Sequence, residues 1–188
     1  MKYKILLASK SPRRREIMNL LKIPYTVVTI EGINESYPED LEADKVSEYI
    51  SNKKADEFLK RINKDELIIT ADTVVICEGK ILGKPKNEKD AIEMLQFLSG
   101  KTHKVSTGVT IASKEKRVSF STDSYVTFAD LTDDEIRFYV DTFHPYDKAG
   151  AYGIQEWIGA VAVAKIDGSF YNVMGLPIHR IYQTLKQF

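Results

Sequence analysis

The spacing of apolar residues changes period along this chain, and each change predicts an element. Ile5-Leu6-Leu7-Ala8 is a continuous apolar run, so Lys4 to Ser9 reads as a short buried strand. Ser11-Pro12 then supplies an N-cap followed by proline at the first helical position, opening a helix to about Leu21. Tyr25 to Thr29 reads as a second strand, whereas Glu31 to Glu42 is acidic, bears proline, follows neither period and predicts a loop. From Asp44 onward Val46, Ile50 and Phe58 recur at helical spacing; Leu67 to Cys77 is rich in β-branched residues and predicts a strand, turned back at Glu78-Gly79-Lys80.

Asn87 opens a helix with Ala91, Leu95 and Leu98 on one face and Gly100 just past its end. Lys104 to Ala112 and Arg117 to Phe128 flank the polar Ser113-Lys114-Glu115-Lys116 and predict an antiparallel pair. Thr132 and Glu135 form a capping box for a helix that ends near Phe143, before Pro145; Tyr146 to Gly153 reads as a glycine-bearing loop. Ala160 to Ile166 and Phe170 to Val173 are expected to form a last hairpin around Asp167-Gly168, before a terminal helix from Pro177. Strands joined by helices in one place and by hairpins in another predict an α/β or α+β chain with a mixed sheet.

Composition narrows this picture. The 188 residues suit one domain, and 43% apolar with 29% charged residues is ordinary for a chain that folds to a globule. Lys plus Arg balances Asp plus Glu at 27 each, so the positive field that binders of long nucleic acids need is missing and any phosphate-bearing partner is expected to be small. The single Cys77 reads as a core residue, and one cysteine excludes an internal disulfide or a multi-thiolate zinc site. No apolar run near the N-terminus is long enough for a secretory or membrane-spanning segment, so a cytoplasmic location is expected. No Walker loop or Rossmann fingerprint is present, and His103, His144 and His179 show no metal-ligand spacing.

Three placements conflict with folding alone. Arg13-Arg14-Arg15 lies in the opening turn of a helix, where the macrodipole is already positive; with Ser9, Ser11 and the helix-start N–H groups it reads as a phosphate-binding corner or as a solvated basic turn paired with the 31–42 loop. Lys54 follows Ile50 by one helical turn and precedes Phe58 by another, so on the apolar stripe it must meet an anion or snorkel. Asp72 interrupts Ile68-Ile69-Thr70-Ala71-Asp72-Thr73-Val74-Val75-Ile76, where a carboxylate needs a cation unless the strand bulges toward solvent. Gly83-Lys84-Pro85 and the stretch from Asp147 to Gln155 mix charge with small residues, as loops that approach ligands do.

These same segments resemble the Maf family of nucleotide pyrophosphatases. Ala8-Ser9-Lys10-Ser11-Pro12-Arg13-Arg14 matches the family's S-x-S-P-R-R motif, Ala71-Asp72-Thr73 its central motif, Gly83-Lys84-Pro85 the next, and Asp147-Lys148-Ala149-Gly150-Ala151-Tyr152-Gly153-Ile154-Gln155 its most specific. The resemblance implies an α/β, bilobed fold over residues 1–188 with an elongated twisted mixed sheet flanked by helices, a cleft between the lobes, a divalent cation (Mg2+ or Mn2+) and a homodimer. Carried over by position, Asp72 is the proton acceptor or a metal ligand. Ser9, Arg13, Arg14, Lys54 and Lys84 hold the substrate, and Glu35 is a second metal-facing carboxylate, although Gly32-Ile33-Asn34-Glu35 stands where relatives often carry two adjacent acids.

Arg13, Thr73 and Gln155 match the family's dTTP- and UTP-hydrolysing type, whereas the 7-methyl-GTP type places tryptophan, glutamine and glutamate there. The expected activity is therefore hydrolysis of dTTP and UTP to monophosphate and pyrophosphate, with removal of non-standard nucleotides open as its purpose. A nucleotide-sensing regulator of cell division and a hydrolase of another phosphoanhydride are the alternative readings.

Overall fold

The computed structural model describes residues 3–188. β1 (Lys4–Ala8), α1 (Pro12–Asn19) and β2 (Tyr25–Val28) form the opening crossover, with β1 and β2 parallel and Ile5 opposite Tyr25. α2 (Ala43–Leu59) leads into β3 (Glu66–Cys77), which lies parallel to β1 on its other side, Leu7 opposite Ile69. β4 (Lys80–Leu82) turns back antiparallel along β3, and α3 (Glu88–Leu98) follows. β5 (Thr102–Ala112) and β6 (Arg117–Phe128) are neighbours joined by the expected polar turn, which Ser113 N closes by donating to Lys116 O at 2.8 Å. α4 (Asp133–Phe143) precedes a 3₁₀ turn at Ala149–Ala151 and α5 (Trp157–Val161). β7 (Val163–Asp167), α6 (Phe170–Val173) and α7 (Ile178–Leu185) end the chain.

The seven strands make one mixed sheet in the order β2-β1-β3-β5-β6-β7, with β4 beside β3, so the α/β class with helices around a mixed sheet is the observed one. Contacts divide the chain into two compact units. The first holds residues up to Asp72, Thr107–Thr122 and Gly175–Phe188; the second holds Thr73–Ser106 and Asp123–Met174. Within the first, Leu6, Ala8, Phe58, Ile62, Ile68 and Ala112 pack into a buried cluster. Within the second, Leu95, Leu98, Phe128, Ile136, Tyr139, Tyr152 and Ile158 form the core, and Cys77 is buried among them as a free thiol. No helix among the described residues is long and apolar enough to cross a membrane.

Local chemistry explains where the elements begin. Asn87 Oδ1 accepts from Asp90 N at 2.9 Å, and Ala91, Leu95 and Leu98 are fully buried on the face that the periodicity predicts. Thr132 and Glu135 cap each other reciprocally at the start of α4.

The final hairpin is a correction. Residues 157–161 are helical, and within them Gly159 packs so closely on the Ile154 carbonyl that a Cβ would stand 1.7 Å from that oxygen. Phe170–Val173 is also helical, because Ser169 Oγ accepts from Asn172 N at 3.3 Å and caps the turn. Asn172 is buried, its side-chain amide donating to Val105 O and Ser124 Oγ at 3.1 and 3.0 Å, so a polar residue holds a segment that reads as apolar. The strand in this region, β7, pairs with β6 instead, Val126 opposite Ile166.

Candidate active site

The first unit holds Ser9, Arg13, Arg14, Glu35, Lys54 and Asp72. Ser11 caps α1, its Oγ accepting from Arg14 N at 3.4 Å, and Pro12 occupies the first turn, where it forfeits no helical hydrogen bond. Ser9, buried, accepts from Ser11 N at 3.1 Å and so shapes the turn that leads from β1 into α1. The three arginines then diverge. Arg14 donates through Nε to Gly175 O at 2.8 Å and through Nη1 to Ala71 O at 2.9 Å, tying α1 to the residue before Asp72 and to the start of the C-terminal segment. Desolvation pulls the Arg14 pKa below the ordinary guanidinium value and Arg13 adds to this, while Asp72 and Glu35 oppose it. Arg13 is half-buried, and Arg15 is exposed with Nη2 on Lys10 O at 3.3 Å.

Asp72 lies inside β3, and its need for a cation is met by Lys54. Lys54 Nζ is 2.8 Å from Asp72 Oδ1 and 3.0 Å from Glu35 Oε1. The side chains of Lys54 and Asp72 are each 14% exposed and that of Glu35 53%, so a mostly buried ion pair reaches outward through a second carboxylate. Such a pair is retained only with close geometry, because desolvating each charge costs several kcal/mol. The loop that brings Glu35 is held as well: Asn34 Oδ1 accepts from Ser36 N at 2.8 Å, and Lys53 Nζ donates to Ser36 O at 2.6 Å. Among the described residues no three His, Cys, Asp or Glu side chains cluster into a metal cage. The Asp72 and Glu35 oxygens nevertheless fit a hard cation such as Mg2+, which commonly takes one or two carboxylates and fills its shell with water and substrate phosphates.

In the second unit Gly83 O accepts from Gly150 N at 3.0 Å, joining Gly83-Lys84-Pro85 to the loop around Gly150. Lys84 and Gln155 are exposed, and Thr73 is half-buried. That loop folds tightly: Gly150 has φ +70°, and Ala151, fully buried, has φ +59° in a region that favours glycine. Lys148, Glu156 and Tyr139, to which no sequence pattern assigns a role, form a largely buried cluster. Lys148 Nζ lies 2.9 Å from Asp147 Oδ1 and 3.1 Å from Glu156 Oε1, and Glu156 Oε2 accepts from the Tyr139 hydroxyl. A lysine inside a run of small residues was the available signal; nothing in the spacing links Tyr139 to it. Of the histidines, His103 is buried with Nε2 2.7 Å from the Tyr152 hydroxyl, and His144 ends α4 in a left-handed conformation.

The sequence pattern that defines the Maf-like proteins matches residues 4–188. A dTTP/UTP pyrophosphatase of Bacteroides thetaiotaomicron is 52% identical over 99% of this chain and 96% of its own length. One of Porphyromonas gingivalis is 49% identical over 100% of this chain and 95% of its own. Among solved structures, a HAM1 protein from Coxiella burnetii is similar with a TM-score of 0.49 and 13% identity, covering 99% of this chain and 100% of that one.

Proposed function

Because the chain belongs to the Maf-like protein family, we propose that it is a nucleoside triphosphate pyrophosphatase that hydrolyses dTTP and UTP to the nucleoside monophosphate and pyrophosphate. The observation that carries this reading into chemistry is the position of Lys54, within hydrogen-bonding distance of both Asp72 and Glu35. An ammonium has three N–H donors, so the two carboxylates leave one for a phosphoryl oxygen.

A triphosphate resists hydrolysis because its charge repels a nucleophile, so catalysis needs cations at the phosphates and a positioned water. In this reading Arg13, Lys54 and Lys84 hold the triphosphate with Ser9, while Arg14, engaged with two carbonyls, contributes fixed charge. Asp72 orients the water that attacks the α-phosphorus and accepts its proton. The bond from the α-phosphorus to the α–β bridging oxygen breaks, and pyrophosphate leaves with the electron pair. Asp72 and Glu35 would hold a divalent cation, Mg2+ or Mn2+, which when bound offsets the developing charge and acidifies water.

Base selection follows from hydrogen-bond arithmetic. Uracil and thymine present two carbonyl acceptors around an N–H donor; Gln155 offers an acceptor and a donor in one amide, and Thr73 and Arg13 add donors. Cytosine replaces one carbonyl with an amino group and leaves a donor unpaired, a penalty of roughly 1–3 kcal/mol, or about tenfold to a hundredfold. The resemblance also carries a homodimer, a cytoplasmic location and residues 1–188 working as one catalytic domain. Size-exclusion chromatography with light scattering checks the first of these.

A panel of nucleotides assayed for pyrophosphate and orthophosphate, with and without EDTA, tests the reading. The expected result is EDTA-sensitive release of pyrophosphate, fastest from dTTP and UTP. Orthophosphate with a nucleoside diphosphate, or equal kcat/KM for all nucleotides, contradicts it.

A further inference from the structure

We propose that Lys148, Glu156 and Tyr139 are positioning residues that set the turn presenting Gln155 to the base, an inference that rests on the assignment of Gln155 above. Gln155 is the third residue of a turn, Gly153 to Glu156, which Glu156 N closes by donating to Gly153 O at 3.0 Å. The same two ends are joined a second time through side chains. Gly153 N donates to the Tyr139 hydroxyl at 2.9 Å, and that hydroxyl donates to Glu156 Oε2. Lys148 Nζ holds the other oxygen, Glu156 Oε1, at 3.1 Å. The flanks of Gln155 thus converge on one buried hydroxyl carried by α4.

Burial makes this a rigid support. The side chain of Lys148 is 9% exposed and that of Glu156 19%; Tyr139 is fully buried and its ring stacks on Phe143 at 5.1 Å. A Cβ at Gly153 would stand 2.8 Å from the Glu156 carboxyl carbon and 3.0 Å from Lys148 Cε, so a side chain there would have to displace this ion pair. Ile154 turns inward and is 6% exposed, which leaves Gln155 as the exposed member of the turn. An ion pair removed from water is a costly way to close a loop, and an apolar contact would serve stability as well. A paired charge and a shared hydroxyl instead fix direction, which a residue reading hydrogen-bond donors and acceptors requires.

The test is the ratio of kcat/KM for UTP to that for CTP, measured in Tyr139→Phe, Lys148→Met and Lys148→Arg, with Gln155→Ala as reference and the Tm recorded for each. A support that only stabilises the fold would lower the active fraction for both nucleotides alike and leave the ratio unchanged. Gln155→Ala should collapse the ratio. Tyr139→Phe and Lys148→Met should each reduce it about three- to tenfold, the effect of losing one orienting hydrogen bond, with Lys148→Arg retaining more selectivity than Lys148→Met. If Tyr139→Phe does not fold, Lys148→Met carries the test. An unchanged ratio in the support variants beside a collapsed one in Gln155→Ala overturns the positioning role and leaves the Gln155 assignment standing. An unchanged ratio in Gln155→Ala overturns both.

Discussion

At the scale of single residues, the informative positions are charges placed where folding prefers apolar groups. Asp72 and Lys54 were legible because each breaks a regular pattern, a strand and a helical stripe, and the structure pairs them at 2.8 Å. Replacing Asp72 with Asn should lower kcat at least about a hundredfold, the usual weight of a positioned general base. Circular dichroism should show an intact fold, and a loss under about tenfold would refute the role. The family motif already set Arg13 and Arg14 apart from Arg15 in sequence, and the structure adds that Arg14 is held by two carbonyls whereas Arg15 is exposed. Arg13→Ala should raise KM and lower kcat for UTP, whereas Arg15→Ala, exposed and bonded to Lys10 O, should alter neither by more than about twofold; equal losses would mean a diffuse basic surface. His103 yields a different expectation, because burial lowers its pKa from 6.5 to about 4 and Nδ1 has no hydrogen-bond partner among the described residues. The unfolded chain then takes up this proton first, so the contribution to stability is full above about pH 6.5 and is lost as pH falls toward 4, by about 3 kcal/mol. Urea titrations at pH 7 and pH 4.5 should show a smaller drop in His103→Gln than in the parent; an identical drop would exclude His103 as the source.

At the scale of elements, legibility followed the strength of local signals. α3 was read correctly because Asn87, the buried face of Ala91, Leu95 and Leu98, and Gly100 all agree. Phe170–Val173 was misread as a strand because its apolar composition outweighed Ser169, whose cap decides the local conformation, and because the buried bonds of Asn172 are long-range. The support behind Gln155 was hidden for the same reason: Tyr139 and Glu156 meet across elements, with no spacing rule to join them. For α3 the packing should outweigh the cap. Leu95→Ala should cost about 2–5 kcal/mol and Asn87→Ala about 1 kcal/mol. Urea denaturation with a common slope measures both, and a cap substitution costing as much as the core one would show that α3 depends on its terminus more than on its buried face.

At the scale of the whole molecule, a mixed sheet was legible from the connections alone. β1 and β2 are joined through α1 and run parallel, whereas β3 and β4 are joined by Glu78-Gly79 and run antiparallel. The order β2-β1-β3-β5-β6-β7 was not legible, because β3 pairs with β1 over a long sequence separation that no local pattern encodes. The four motifs likewise point to one reaction only through a resemblance spanning the chain. The proposed reaction turns on attack of water at the α-phosphorus of a pyrimidine nucleoside triphosphate. Hydrolysis of UTP in ¹⁸O-enriched water, followed by mass spectrometry of the products, tests it directly. One ¹⁸O is expected in the monophosphate, with unlabelled pyrophosphate; label in the pyrophosphate, or release of labelled orthophosphate, would rule out attack at the α-phosphorus.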